Sequence, residues 1–246
     1  MDRYTLPYKD YLANTTTLLP GAAVQIISSP NDDTAASGIT SAINLITNEK
    51  VDGLVGSTYS VITTASSILS AAGKIPQCDG SSTSPDLSNK ALYPYFFRTV
   101  PSDHLQGQAI FQYIYLKGWR RVSLMYETGA YGNGLYTVFT NNAALKSDFT
   151  IVSTYQLQVN PTSLTIRSWD SQLADMKKNY VFVIAIFGAS STVRYLPSAA
   201  TAAGMKNSNY AWIGADAMYD TSVAGLAAQE GFVVFNPSAG IYPCNA

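Results

Sequence analysis

Short apolar runs alternate with longer stretches of helical period along the chain. Val24-Gln25-Ile26-Ile27 predicts a strand, followed by the turn residues Pro30-Asn31-Asp32-Asp33. Residues 34–48 then place Ala35, Ile39, Ala42, Ile43 and Ile46 at helical spacing. Asp52-Gly53-Leu54-Val55-Gly56 predicts a second strand, residues 60–72 a helix of small residues, and Lys74-Ile75-Pro76-Gln77 the opening of a third strand. Tyr95-Phe96-Phe97-Arg98 predicts another extended piece.

After Val100-Pro101-Ser102-Asp103 the rhythm repeats. Helices are expected over residues 104–117, 134–146, 169–178 and 193–204, and strands over 121–126, 150–157, 180–187 and 211–213. Strands that read as continuous apolar runs between helices indicate parallel sheets covered on both faces, so the fold class is α/β. Such sheets bind ligands in the loops at the carboxyl ends of their strands. Two α/β halves joined near residue 101 would leave a cleft between them.

Composition narrows the function. Among 246 residues 47% are apolar, enough for a sizeable core, while only 13% are charged against about a quarter in ordinary domains. A net charge of −1 offers nothing for nucleic acid or an anionic membrane to be drawn to. The longest apolar run falls far short of the roughly 20 residues that cross a bilayer, and the first residues carry no signal-peptide pattern. Asn14-Thr15-Thr16 is a glycosylation sequon, with Asn14 the acceptor.

Two cysteines, Cys78 and Cys244, and one histidine, His104, are too scattered for a zinc site, and no cofactor or metal is expected. The cysteines are read either as one long-range disulfide or as two buried thiols. Tyr131-Gly132-Asn133-Gly134 lacks the third glycine of a dinucleotide fingerprint, and no phosphate-cradling loop or nucleophile elbow is present. Asp103, Glu127, Asp170, Asp175, Asp216, Asp220 and Glu230 show no spacing that marks an acid/base pair, and surface solvation accounts for most of them. The expectation is a binding protein, not an enzyme.

Hydroxyl-rich loops follow two of the expected strands: Ser57-Thr58-Tyr59-Ser60 and Gly80-Ser81-Ser82-Thr83-Ser84-Pro85. Hydroxyls and N–H groups at a helix N-terminus suit an anion, although Ser and Thr also serve as ordinary caps and turns. Ile75-Pro76-Gln77, the second loop with Asp86-Leu87-Ser88, and Tyr93-Pro94-Tyr95-Phe96-Phe97-Arg98-Thr99-Val100-Pro101-Ser102-Asp103 together resemble the ligand-binding region of class C G-protein-coupled receptors and natriuretic peptide receptors. Gly118-Trp119-Arg120-Arg121-Val122, Tyr131-Gly132, Trp212-Ile213-Gly214-Ala215-Asp216 and Gly231-Phe232-Val233-Val234-Phe235-Asn236-Pro237 continue the likeness, which runs from about residue 19 to 240.

That resemblance implies the two-lobed type I periplasmic-binding-protein fold, a flytrap that closes on its ligand. It divides the chain into lobe 1 over residues 1–101, lobe 2 over 102–234, and a return crossover beginning at 235–246. Leu18-Leu19-Pro20-Gly21 stands so early that the first strand and much of a helix of lobe 1 are expected to be missing, which predicts aggregation of the isolated chain. In amino-acid-sensing members the matching hydroxyls, here Ser60, Ser81, Ser82 and Thr83, hold the ligand carboxylate. The acids and phenol matching Asp103, Tyr131 and Asp216 face the ammonium. Each also has a plainer reading: Asp103 as a helix N-cap, Tyr131 as a packed turn residue, Asp216 as a surface acid. Cys78-Asp79 departs from the hydrophobic–Ser pair more common in the family.

The resemblance therefore implies the extracellular region of a membrane receptor that binds a small amino-acid-like ligand. The full-length protein would be anchored at the plasma membrane by segments outside this chain, and would dimerise, with itself or a related subunit, through lobe 1. Competing readings are a solute-binding protein that feeds a transporter and an enzyme-like α/β domain.

Overall fold

A computed structural model describes residues 25–29, 34–158, 165–189, 191–218 and 231–236. Asn14, Cys244, Asp220 and Glu230, and the residues carrying the earliest resemblance, lie outside them.

Two parallel sheets organise the chain. The first has three strands in the order β1-β2-β3: β1 (Leu54–Val55), β2 (Gln77–Asp79) and β3 (Phe96–Arg98). Its helices are α1 (Ala35–Ile43), which runs on as a π-helical turn over Asn44–Asn48, and α2 (Ser60–Gly73). The expected strand at 24–27 is not part of this ladder, since described residues 25–29 have no strand pairing.

The second sheet has five strands in the order β5-β4-β6-β7-β8. They are β4 (Arg121–Glu127), β5 (Thr150–Leu157), β6 (Val183–Phe187), β7 (Ala211–Gly214) and β8 (Phe232–Val234). Around it lie α3 (Asp103–Leu116), α4 (Ala130–Ala144), α5 (Asp170–Lys178) and α6 (Leu196–Ala202). All strand pairs are parallel, as the alternating pattern requires.

Burial within this sheet is sorted by the period of two. Val183, Ala185 and Phe187 of β6 join the cluster made with Ile110, Phe111 and Phe139 from α3 and α4. Ile184 and Ile186 point the other way, into the cluster with Leu173, Met176 and Leu196 from α5 and α6. A strand covered on both faces has no solvent side to show as alternation, so β6 reads as an unbroken apolar run.

The boundaries differ from expectation where tertiary contacts intervene. α4 begins four residues early, at Ala130, because Gly132 lets the helix start hard against β4: a Cβ there would stand 2.2 Å from the Glu127 carbonyl oxygen. Gly129 precedes it with φ +116°, a conformation in which glycine is at ease. α6 is shorter than expected, its first turn preceded by a non-helical turn over residues 191–195. β8 has no periodic signature of its own and is formed by pairing with β7.

Candidate ligand-binding site

In the second sheet the chain leaves β4 for β5 on one side and resumes at β6 on the other. The loops leaving β4 and β6 therefore diverge and open a crevice at the carboxyl edge of the sheet. A cavity of about 350 Å³ lies there, walled on one side by the loops after β1 and β2 and on the other by those after β4, β6 and β7. Thr58, Tyr59, Ser60, Ser81 and Thr83 come from the first side. Glu127, Gly129, Tyr131, Ser191 and Asp216 come from the second, and Asn236 follows β8.

The first wall is the amino end of α2. Ser60, its first residue, is 5% exposed, and its hydroxyl accepts from the Ser84 N–H at 3.1 Å. That leaves the hydroxyl proton to donate. Among the described residues nothing accepts from the Ser60 or Val61 N–H, so the first turn of a 14-residue helix presents its unsatisfied donors at the cavity. Thr83 is different: its hydroxyl donates to Asp103 Oδ2 at 2.8 Å, leaving only lone pairs for a ligand.

Behind this wall lies a polar network. The Asp79 carboxylate accepts from the Ser81 and Ser82 N–H groups at 2.7 and 3.1 Å and from the Thr63 hydroxyl at 2.8 Å. Ser82 is wholly buried, its hydroxyl bonded to that of Thr63 at 2.7 Å and to the Ser57 carbonyl at 3.3 Å. The structure thus brings Ser60, Ser81 and Thr83 to the cavity and places Ser82 behind it, binding the two loops together.

The second wall centres on Tyr131, in the first turn of α4. Its hydroxyl donates to Asp216 Oδ1 at 2.6 Å and accepts from the Ala217 N–H at 3.2 Å. Burial and the neighbouring charges of Asp216 and Asp103 push its pKa well above the usual value, so the phenol stays protonated. Asp216 itself sits half-buried in a 3-10 turn after β7, not on the open surface.

Asp103 is not the N-cap of α3. Ser102 caps that helix, accepting from the His104 N–H at 3.2 Å, and Asp103 follows as its first residue, 1% exposed. Burial, with the Asp216 charge adding to it, drives its pKa up to about 7 against the opposing effects of Thr83 and Arg98. Asp103 stands next to the cavity wall, holding Thr83, and does not line it.

Sequence reasoning placed Glu127 among solvated surface acids; the structure corrects this. The side chain is 6% exposed, at the end of β4 beside the crevice. Its Oε2 accepts from the Ala189 N–H and the Thr192 hydroxyl, each at 2.9 Å, which ties the β4 and β6 loops together. Burial raises its pKa in spite of these bonds. The only usable signal was its position immediately after a buried strand, before the turn that opens α4.

Cys78 is a half-buried free thiol in β2, and His104 is exposed on α3. Among the described residues no group of three or more acids, histidines or cysteines could hold a metal, and no helix is long and apolar enough to cross a membrane.

Comparison with known proteins gives this arrangement a context. "Metabotropic glutamate receptor-like protein E" of Dictyostelium discoideum is 36% identical over 101 residues, 41% of this chain and 12% of the relative. Metabotropic glutamate receptor 4 of Mus musculus is 26% identical, and metabotropic glutamate receptor 8 of Homo sapiens 25%, each over 182 residues covering 74% of this chain and 20% of the relative. The chain thus spans a fifth or less of the length of these curated relatives. The receptor family ligand binding region matches residues 9–240, from before the first helix to beyond the last strand, and to that family the chain belongs.

Proposed function

We propose that this chain is the ligand-binding part of a membrane receptor exposed outside the cell, where it closes on a small amino-acid-like ligand and so transmits a signal. The observation that carries the reading is the opposition of the cavity walls. Hydroxyls and the unsatisfied N–H groups of α2 stand on one side, and the Tyr131–Asp216 pair on the other. A zwitterion needs donors for its carboxylate and acceptors for its ammonium, and splitting them between two walls makes binding favour closure. Its likeness to metabotropic glutamate receptors supports a receptor over a transporter-feeding protein. A cavity of about 350 Å³ is at the small end of the range that holds organic ligands. Binding without turnover is the reading for this site, with dimerisation in the full-length receptor.

Thermal melts with millimolar amino acids test it. A ligand at about 100 times its Kd adds roughly 2.7 kcal/mol to a folded binder, a visible rise in Tm. Ser60→Ala and Asp216→Ala should each weaken that ligand by about tenfold or more, as expected on losing a charge-assisted or donor contact. No shift with any amino acid, or unchanged affinity in both variants, would reject the site.

A further inference from the structure

The charges around the cavity are unevenly shared. Two carboxylates line it, Glu127 and Asp216, and no lysine, arginine or histidine among the described residues does. Of the fifteen lysines and arginines in the chain, only Arg3 and Lys9 fall outside the described residues. Arg98, whose charge reaches Asp103, is occupied by the Ser84 carbonyl at 2.8 Å and by the Ser88 hydroxyl.

The two acids are not equivalent. Asp216 is engaged by the Tyr131 hydroxyl. Glu127 is 6% exposed and receives both of its hydrogen bonds on Oε2, leaving Oε1 without a partner among the described residues in a side chain that lines the cavity. A cationic group entering the cavity would give this carboxylate oxygen a charged partner. For anions the site offers the amino end of α2, with the Ser60 and Val61 N–H groups. A dicarboxylic amino acid brings two anionic groups and one cation to this arrangement. A diamino acid brings one carboxylate and two ammonium groups, which matches it group for group.

Building on the amino-acid-binding role above, we infer that the cavity takes a diamino acid of the lysine or ornithine type. Glu127 accepts from the second ammonium group, and dicarboxylic amino acids are rejected. Glu127 is then the residue that sets ligand charge.

Calorimetric titration of the full chain with lysine, ornithine, alanine and glutamate tests this. Lysine or ornithine should bind at least about tenfold more tightly than glutamate. Glu127→Gln keeps an acceptor for the Ala189 N–H and removes the charge, so it should erase that margin, read as the ratio of lysine to glutamate affinity within the variant itself. Should glutamate equal or exceed the diamino acids while alanine still binds, amino-acid binding stands and the charge assignment falls. Absence of binding by all four overturns both. If Glu127→Gln does not fold, the ratio of lysine to glutamate affinity in the parent chain decides alone.

Discussion

The two sheets are held against their helices by different forces. In the five-stranded half, β6 buries Val183 to Phe187 between two apolar layers, and the helices of both faces meet it with Phe111, Phe139, Leu173 and Leu196. In the three-stranded half, the face that α2 buries is almost all hydroxyl: Ser60, Thr63, Ser66, Ser67 and Ser70, with Ile62 the one large apolar residue. Gln77 anchors this face. Its amide donates to the Gly56 carbonyl at 2.7 Å and to the Ser66 hydroxyl at 2.8 Å, and accepts from the Ser67 hydroxyl at 3.1 Å. Apolar burial is non-directional and supplies stability; a satisfied buried network is directional and sets where loops stand. The half that presents the hydroxyls to the cavity is thus the half whose loop geometry is set by hydrogen bonds.

The largest way to break this contrast lies in the apolar half. Phe187→Ala should cost about 3–5 kcal/mol in chemical unfolding, the range for a fully buried aromatic, and disrupt both halves if they unfold as one unit. Two separated transitions would show instead that the polar half stands by itself.

Asp103, at the junction of the two halves, should make stability depend on pH. The folded chain keeps its proton up to about 7, whereas an unfolded chain releases it near the ordinary 3.8. Its contribution is full below about 3.8 and is lost as pH rises through 7, at up to about 1.4 kcal/mol per pH unit within that window. Burial of Glu127 acts in the same direction. Urea midpoints from pH 4 to 8 should therefore fall less steeply in Asp103→Asn than in the parent; parallel slopes would refute the assignment.

A smaller effect sharpens the polar side. Gln77→Leu fills similar space but strips partners from Gly56, Ser66 and Ser67, and should cost about 2–3 kcal/mol. Urea unfolding checks the cost, and a neutral result would mean that water replaces the amide.

Much of the architecture was legible along the chain. β5 has the bounds read from its pattern, and β6 was visible as the most apolar run, because burial on two faces leaves no polar positions to obscure it. α2 was legible as a helix, but not its buried face: Ser and Thr in sequence look like solvent-facing residues, and only the docking of Gln77 and Asp79 turns them inward. β8 is three residues long and owes its existence to β7.

By itself the sequence determined the alternation of strands and helices, the family, and the loops in which a ligand site would form, since these depend on local period and on motifs contiguous in the chain. Only the tertiary structure decided which hydroxyls of those loops reach the cavity. Ser82 and Thr83 are neighbours in sequence, yet one is bound to Thr63 behind the wall and the other lines it. It also decided that Glu127 is a buried acid beside the crevice, because its burial comes from the β6 loop, some 62 residues away along the chain. Burial and pairing are sums over neighbours in space, and residue order fixes them only after the chain has folded.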